Sequence, residues 1–493
     1  MTVATPAAGV SAATTMATAL RTLAPQLLAG YGAALPAAGQ VVTERLLAAV
    51  YREGLATGDP ARCGDCLDVR RHGFGRIEVK ARPGADPVAA LARLAAGDGW
   101  APGATTVRDA AALAALGTEL DDAVANLALA YARRPGVAPA TPLPPGTPAE
   151  VLAGMPGDEQ VLLLERLATE GHNLHPCGRT RLGWHPADVL AHDLEGPGTG
   201  VGFVEVSRDL HLGDDLGARL AEVYPRLPAP RPGYLLHPVH AWQLAAVLPT
   251  RYRDLFDAGL LRHVDAPVLP ASPTAALRTV LLPGVDGTGR YLKLSLDIQI
   301  TSTRRSISVA STRNATGLSD LVGAVLTDQG ALLLPEVAGA AASAGRGRDR
   351  DLGAILRLGL SGRLRPGEIA VPGVALAALW PPTGRLVLDE LVAAFPGTAA
   401  GFLAEYAAVL LPAPLRLLAG HGIALEAHLQ NTIVTFLAGR PSRLIVRDVA
   451  GLRLHLPRLA AAGHRLRLWP GSVVGTDDLD VTRSKLAYTA LQA

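Results

Sequence analysis

Three short stretches of an Ala- and Leu-rich chain concentrate the side chains that can do chemistry. The first, EGHNLHPCGRTRLGW at 170–184, brings His172, Asn173, His175, Cys177, Arg179 and Arg181 together just after an apolar helical run. The second, 271–308, carries Thr274, Arg278, Lys293, Thr301 and Arg305; the third, 423–454, carries Glu426, His428, Gln430, Asn431 and Asp448. Arg179, Arg181, Arg278, Lys293 and Arg305 supply positive charge and donors that suit phosphates and carboxylates. Glu426, Asn431 and Asp448 supply the oxygen ligands that Mg²⁺ prefers beside phosphate oxygens. Brought together, the three stretches describe a cleft for Mg²⁺-ATP and a second anion.

Such a cleft supports either phosphoryl transfer to an acceptor or attack by a carboxylate on the α-phosphate. The run His428-Leu429-Gln430-Asn431 with a downstream Asp has the outline of a kinase catalytic segment, but no Asp stands where the base would be. A carboxylate nucleophile is already ionised at neutral pH and needs no base, which favours adenylation over the alternative of a small-molecule kinase. Composition points to the same residues. Only three lysines, Lys80, Lys293 and Lys485, and four asparagines occur in the chain, so a Lys or Asn that remains hints that Arg or Gln would not serve. A zinc site at His172, His175 and Cys177 lacks a fourth ligand at a recognisable spacing, and Cys63-Gly-Asp-Cys66 lacks both a second pair and a strand-to-helix setting.

The elements that must position these residues read as α+β. At 493 residues the chain exceeds one ordinary core, so two or three subdomains are expected. Residues 1–149 are expected to be mainly helical, with helices over Val41–Gly54 and Val107–Arg134, and to end in the proline-rich connector 135–148. Residues 150–320 follow as a mixed region opening on an amphipathic helix at Gly157–Glu170, and 321–493 as a third. The Gly-rich run at 196–203 precedes a strand, which excludes a dinucleotide fingerprint, and no phosphate-binding GxxxxGK[ST] loop is present. Leu277–Leu282 and Tyr291–Ser308 read as a hairpin closed at Asp286-Gly287, with apolar residues at even and polar residues at odd positions of the second strand. Extended over its whole length, that strand would hold Lys293 and Arg305 about 40 Å apart, so it must bend or break if both serve one ligand. In the third stretch, period two places Glu426, His428 and Gln430 on one face of a strand, and a turn near Gly439 brings Asp448 beside Asn431.

A net charge of +2 and 4% aromatic residues give no footprint for nucleic acid. No window of 18 uninterrupted apolar residues occurs, and the N-terminus lacks a basic region followed by an apolar one, so neither a membrane span nor a signal peptide is expected. Three cysteines fit a reducing compartment, and the expected location is the cytoplasm.

Six segments, in order, resemble the IucA/IucC family of NRPS-independent siderophore synthetases: GHNLHPCGRTRLG at 171–183, HPVHAWQ at 237–243, PTAALRTV at 273–280, KLSL at 293–296 with ITSTRRSI at 300–307, EAHLQN at 426–431 and RDVAGLRL at 447–454. The resemblance implies a cupped-hand fold of thumb, fingers and palm that binds ATP and a polycarboxylate such as citrate. It also implies a reaction through an acyl-adenylate to an amide or ester with an amine, hydroxylamine or alcohol. Carried over, it puts His172, Arg179, Thr274, Arg278, Lys293 and Gln430 on the nucleotide, and Glu426, Asn431 and Asp448 near Mg²⁺. Thr301, Arg305 and His428 then face the carboxylate, with Lys293, Arg305 and His428 as the catalytic set. A homodimer is compatible with this reading. Two departures are visible: Ala276 replaces a serine, with Thr274 as the nearest hydroxyl, and Arg179 stands where a lysine is common. The palm-like region is also short against relatives, which keeps a partner-dependent or inactive synthetase subunit as a further alternative.

Overall fold

The computed structural model describes residues 10–55, 66–96, 109–137, 143–284, 289–343, 345, 350–360 and 362–492. A nine-stranded antiparallel sheet forms its centre, running in order through His211–Gly213, Glu336–Ala342, Ala354–Leu358, Arg290–Leu294, Thr279–Leu282, Leu269–Pro273, Thr199–Ser207 and Tyr234–His240, with Leu261–His263 also paired to Thr199–Ser207. A four-stranded sheet built on Ile369–Pro372, Thr432–Leu437, Arg440–Val446 and Leu332–Leu333 carries the third polar stretch. The α+β expectation holds.

Long helices Leu28–Arg52 and Ala110–Val137 pack through Tyr31, Val42, Leu46, Leu120 and Leu127 into one core with Trp184, Trp242, Leu296, Ile298 and Ile300. The helical N-terminal region therefore rests directly on the first polar loop and on the strand that follows Lys293. Leu28–Arg52 begins well before the Val41 expected from periodicity, and Pro36 lies inside it. Val107, Cys63, part of the proline-rich connector and the Asp286-Gly287 turn fall outside the described residues. The strands flanking that turn pair from Thr279 opposite Lys293 to Leu282 opposite Arg290.

The patterned strand breaks, as its length required. It stops at Leu294, because Ser295 turns its backbone to Gly353 and its hydroxyl to the Arg350 carbonyl, 2.7 Å away. Leu296–Ile300 then runs on, reverses at Thr301 with φ of 58°, and returns as Thr303–Arg305, with Leu296 opposite Arg305. The third stretch departs from its expected form. Between residues 423 and 437 only Ile423–Ala424 and Thr432–Leu437 are strands, so Glu426, His428 and Gln430 lie on a loop and share no strand face. The His428 ring and carbonyl accept from the backbone N–H groups of Gln430, Asn431 and Thr432, a local solution that polar side chains offer in place of a ladder.

Candidate active site

The three polar stretches meet around a pocket lined by His172, Arg179, Thr301, Arg305, His428 and Gln430 among others. In the first stretch Gly171 has φ of 70°, and a Cβ there would approach the Gly178 carbonyl to 2.7 Å, so the loop closes only around glycine. His172 Nδ1 accepts from Leu174 N at 3.2 Å, and His175 Nδ1 accepts from Cys177 N at 3.0 Å. Burial, reinforced by His175, His428 and nearby arginines, lowers His172 to about 4. A neutral imidazole accepting at Nδ1 carries its proton on Nε2, so these rings are donors for an anion. Burial also pushes the Cys177 thiol up to about 12, which opposes a thiolate ligand for zinc.

Arg179 and Arg181 are placed otherwise than the sequence suggests. Arg179 Nη2 binds Asp193 at 3.0 Å and Glu195 at 2.8 Å, and Arg181 grips Asp193 at 3.1 Å. All four are buried, so both guanidiniums spend their charge holding the loop to the turn at 193–195, although Arg179 still borders the pocket. Thr274 is likewise occupied: its hydroxyl donates to the Thr279 carbonyl at 2.8 Å and accepts from Ala276 N, closing the turn that positions Arg278.

Arg278 and Arg305 differ. Arg278 donates to the Ser306 carbonyl at 3.0 Å and Arg305 to Thr301 Oγ1 at 3.0 Å, but among the described residues neither has a carboxylate partner. Arg305 Nε is buried without an acceptor. Burial, then the adjacent Arg278 and Arg181, brings Arg305 down to about 10. Beside this unpaired charge, Lys293 Nζ lies 2.6 and 2.7 Å from the two oxygens of Asp448. Burial alone would raise that carboxyl, but Lys293 and Arg278 hold it well below the carboxylate range. Glu426 pairs with Lys485 on the helix Leu479–Ala487, and Asn431 Nδ2 donates to the Glu426 carbonyl at 3.1 Å.

The model of the IucA / IucC family matches residues 160–378. A second model, described as ferric iron reductase FhuF-like transporter, matches residues 401–493. Similar curated proteins include a D-ornithine–citrate ligase of Staphylococcus aureus, 26% identical over 342 residues that cover 61% of this chain and 51% of that protein. Another is a citryl-spermidine/3,4-dihydroxybenzoyl-citryl-spermidine:spermidine ligase of Bacillus anthracis, 27% identical over 60% of this chain and 52% of that one. The chain thus spans about half the length of these relatives. Among solved structures, the petrobactin biosynthesis protein AsbB of Bacillus anthracis matches with a TM-score of 0.73 at 18% identity, covering 98% of this chain and 84% of its own. ATP-bound aerobactin synthetase IucA of Klebsiella pneumoniae matches with a TM-score of 0.63 at 16% identity over 91% and 83% of the two chains. The mixed helical and antiparallel architecture is that of these IucA/IucC synthetases.

Of the IucA/IucC-like motifs, HPVHAWQ serves the scaffold: Gln243 Oε1 accepts from Asp297 N at 2.9 Å and so fixes the strand bearing Ile300. Among the described residues no three His, Cys, Asp or Glu side chains gather as a metal centre. The oxygens of Glu426, Asn431 and Asp448 are nonetheless chemically right for Mg²⁺, and each carboxylate already carries a cation, Lys485 or Lys293. Reading by motif missed Lys485, whose rarity was its one signal. It also missed the buried pair of Glu165 and Arg447, in which Glu165 binds Ala275 N at 2.9 Å and Arg447 the Gln430 carbonyl, tying the second stretch to the third. Glu336, which burial raises to about 7 and whose Oε2 has no partner, had no sequence signal at all.

Proposed function

We propose that the protein is an ATP-dependent ligase that adenylates a polycarboxylate, citrate or a citrate or succinate derivative, and condenses it with an amine, hydroxylamine or alcohol. The observation that carries this reading is Arg305: a half-buried guanidinium whose Nε is buried without an acceptor and which, among the described residues, has no carboxylate partner, facing a pocket ringed by donors, next to the Lys293–Asp448 pair. A site with that surplus of positive charge is built for an anionic substrate as well as for phosphates. The family match and the names of the relatives favour a ligase over a kinase.

In this reading Lys293, Arg278 and the Nε2–H of His172 hold the triphosphate, and Gln430 meets the nucleotide. Thr301, Arg305 and the Nε2–H of His428 hold the acid with one carboxylate aimed at the α-phosphorus. Its oxygen attacks there and pyrophosphate leaves; the nitrogen or oxygen nucleophile then attacks the acyl carbon, losing a proton as AMP departs. His428 is kept neutral by burial and accepts at Nδ1, so it serves as a hydrogen-bond donor to developing negative charge. Mg²⁺, held by Glu426, Asn431 and Asp448, would supply charge neutralisation at the phosphates. The test is product analysis with ATP, Mg²⁺, hydroxylamine and a panel of citrate, citryl monoamide, succinyl hydroxamates and 2-oxoglutarate. AMP, pyrophosphate and a hydroxamate with one acid are expected; ADP would transfer the protein to the kinase class.

A further inference from the structure

Two of the three lysines in the chain sit on the two carboxylates assigned to the metal. Lys293 belongs to a recognised motif, but Lys485 comes from the FhuF-like segment and has no part in the motif reading. Its placement is built rather than incidental. The turn of helix that follows is fixed by the buried Thr489, whose hydroxyl donates to the Lys485 carbonyl at 2.9 Å and to the Leu425 carbonyl at 3.3 Å, adjoining Glu426. On the opposite side Gly451 closes against Glu426 so tightly that a Cβ would overlap Oε2. Glu426 is thus confined between a bare glycine backbone and an ammonium.

We propose that Lys485 is a built-in counter-cation for Glu426: it neutralises the empty site and competes with the incoming divalent metal for that carboxylate. The charges match on this view. Two ammoniums cancel Glu426 and Asp448 when the cleft is empty, so the acidic loop and the strand bearing Lys293 close without repulsion. The net negative metal–nucleotide complex is then matched by the ammoniums set free and by Arg278 and Arg305, neither of which, among the described residues, is hydrogen-bonded to a carboxylate. Lys485 is a positioning residue that acts through Glu426.

The inference rests on the Mg²⁺-ATP reading, and one titration separates the two. Mn²⁺ binding to the full chain is followed by the loss of its free-ion electron paramagnetic resonance signal, with and without ATP, for the wild type, Lys485→Met, Lys485→Arg and Glu426→Gln. Removing a competing, partly exposed ammonium should tighten nucleotide-free Mn²⁺ binding about fivefold in Lys485→Met. Lys485→Arg, which keeps the charge, should stay near wild type, and Lys485→Met made in the Glu426→Gln background should show no tightening. A merely structural role would weaken or leave unchanged the metal affinity of Lys485→Met, and either result overturns the inference while ATP-enhanced Mn²⁺ binding by the wild type preserves the reading. Absence of any ATP-enhanced Mn²⁺ binding by the wild type removes both. Should Lys485→Met not fold by circular dichroism, Lys485→Gln makes the same comparison.

Discussion

A half-buried guanidinium crowded by Arg278 and Arg181 and left, among the described residues, without a paired carboxylate is a costly arrangement, and Arg305 has kept it. Its replacement therefore separates function from stability. Arg305→Ala should lower acid-dependent pyrophosphate release by about 100-fold, the loss of charge-assisted hydrogen bonds worth roughly 3 kcal/mol, while the thermal midpoint holds or rises. Arg305→Lys should fall between, because a point charge cannot reproduce the fork. An unstable but active Arg305→Ala would sink the assignment. The types of Arg305, Lys293 and His428 were enough to nominate them from sequence. Arg179 and Arg181 carry the same charge yet are neutralised, because the partners that claim them, Asp193 and Glu195, lie 12 to 16 residues further along the chain and offer no motif. Lys485 was missed for the opposite reason: it stands alone in an otherwise ordinary helix.

At the scale of elements, strain marks the site. Four described non-glycine residues have positive φ, Leu277, Thr301, Ala438 and Asp448, and all four lie in the second or third polar stretch. A β-branched residue in that region stores on the order of 1–3 kcal/mol, which the surrounding structure must offset. Thr301→Gly should therefore raise unfolding free energy by about 1 kcal/mol in urea titration while raising KM for the acid, since the hydroxyl that braces Arg305 is lost. A destabilised Thr301→Gly would show that no strain was held there. Alternation from Leu292 to Ile300 was legible and named the buried face correctly, and the limit on strand length forced the break. Where it breaks was not legible, because Ser295 is diverted by Arg350 and Gly353, more than fifty residues away. The loop at 425–431 read as strand because a short loop can satisfy period two by chance, and the hydrogen bonds that make it a loop are local to His428.

Across the whole molecule, buried histidines set the response to acid. Burial, then His192, lowers His240 to about 3, and burial lowers His237 to about 3 and His172 to about 4. His240 Nδ1 accepts from Trp242 N at 3.2 Å and its Nε2–H donates to Thr199, 3.1 Å away, so protonation would break the first bond. The unfolded chain takes up a proton below about pH 6.5 while the native one refuses it until far lower, so these groups make stability fall as pH drops through that window. His240→Asn, neutral throughout, should lose roughly 2 kcal/mol less stability than the wild type between about pH 7 and about pH 5. Equal losses in the two proteins would mean that His240 titrates normally.

One feature of the site also reaches into the kinetics of folding. Lys293 and Asp448 meet across 155 residues of chain, and Glu165 and Arg447 across 282. Closing spans of that length is the slow, entropically expensive part of a search, whereas the N-terminal helices and the hairpins around the cleft are local and form early. Nucleotide affinity should consequently return late in refolding, well after the far-ultraviolet circular dichroism signal. Residues 160–378 on their own, carrying Lys293 without Asp448, Gln430 or His428, would hold one wall of the pocket facing water.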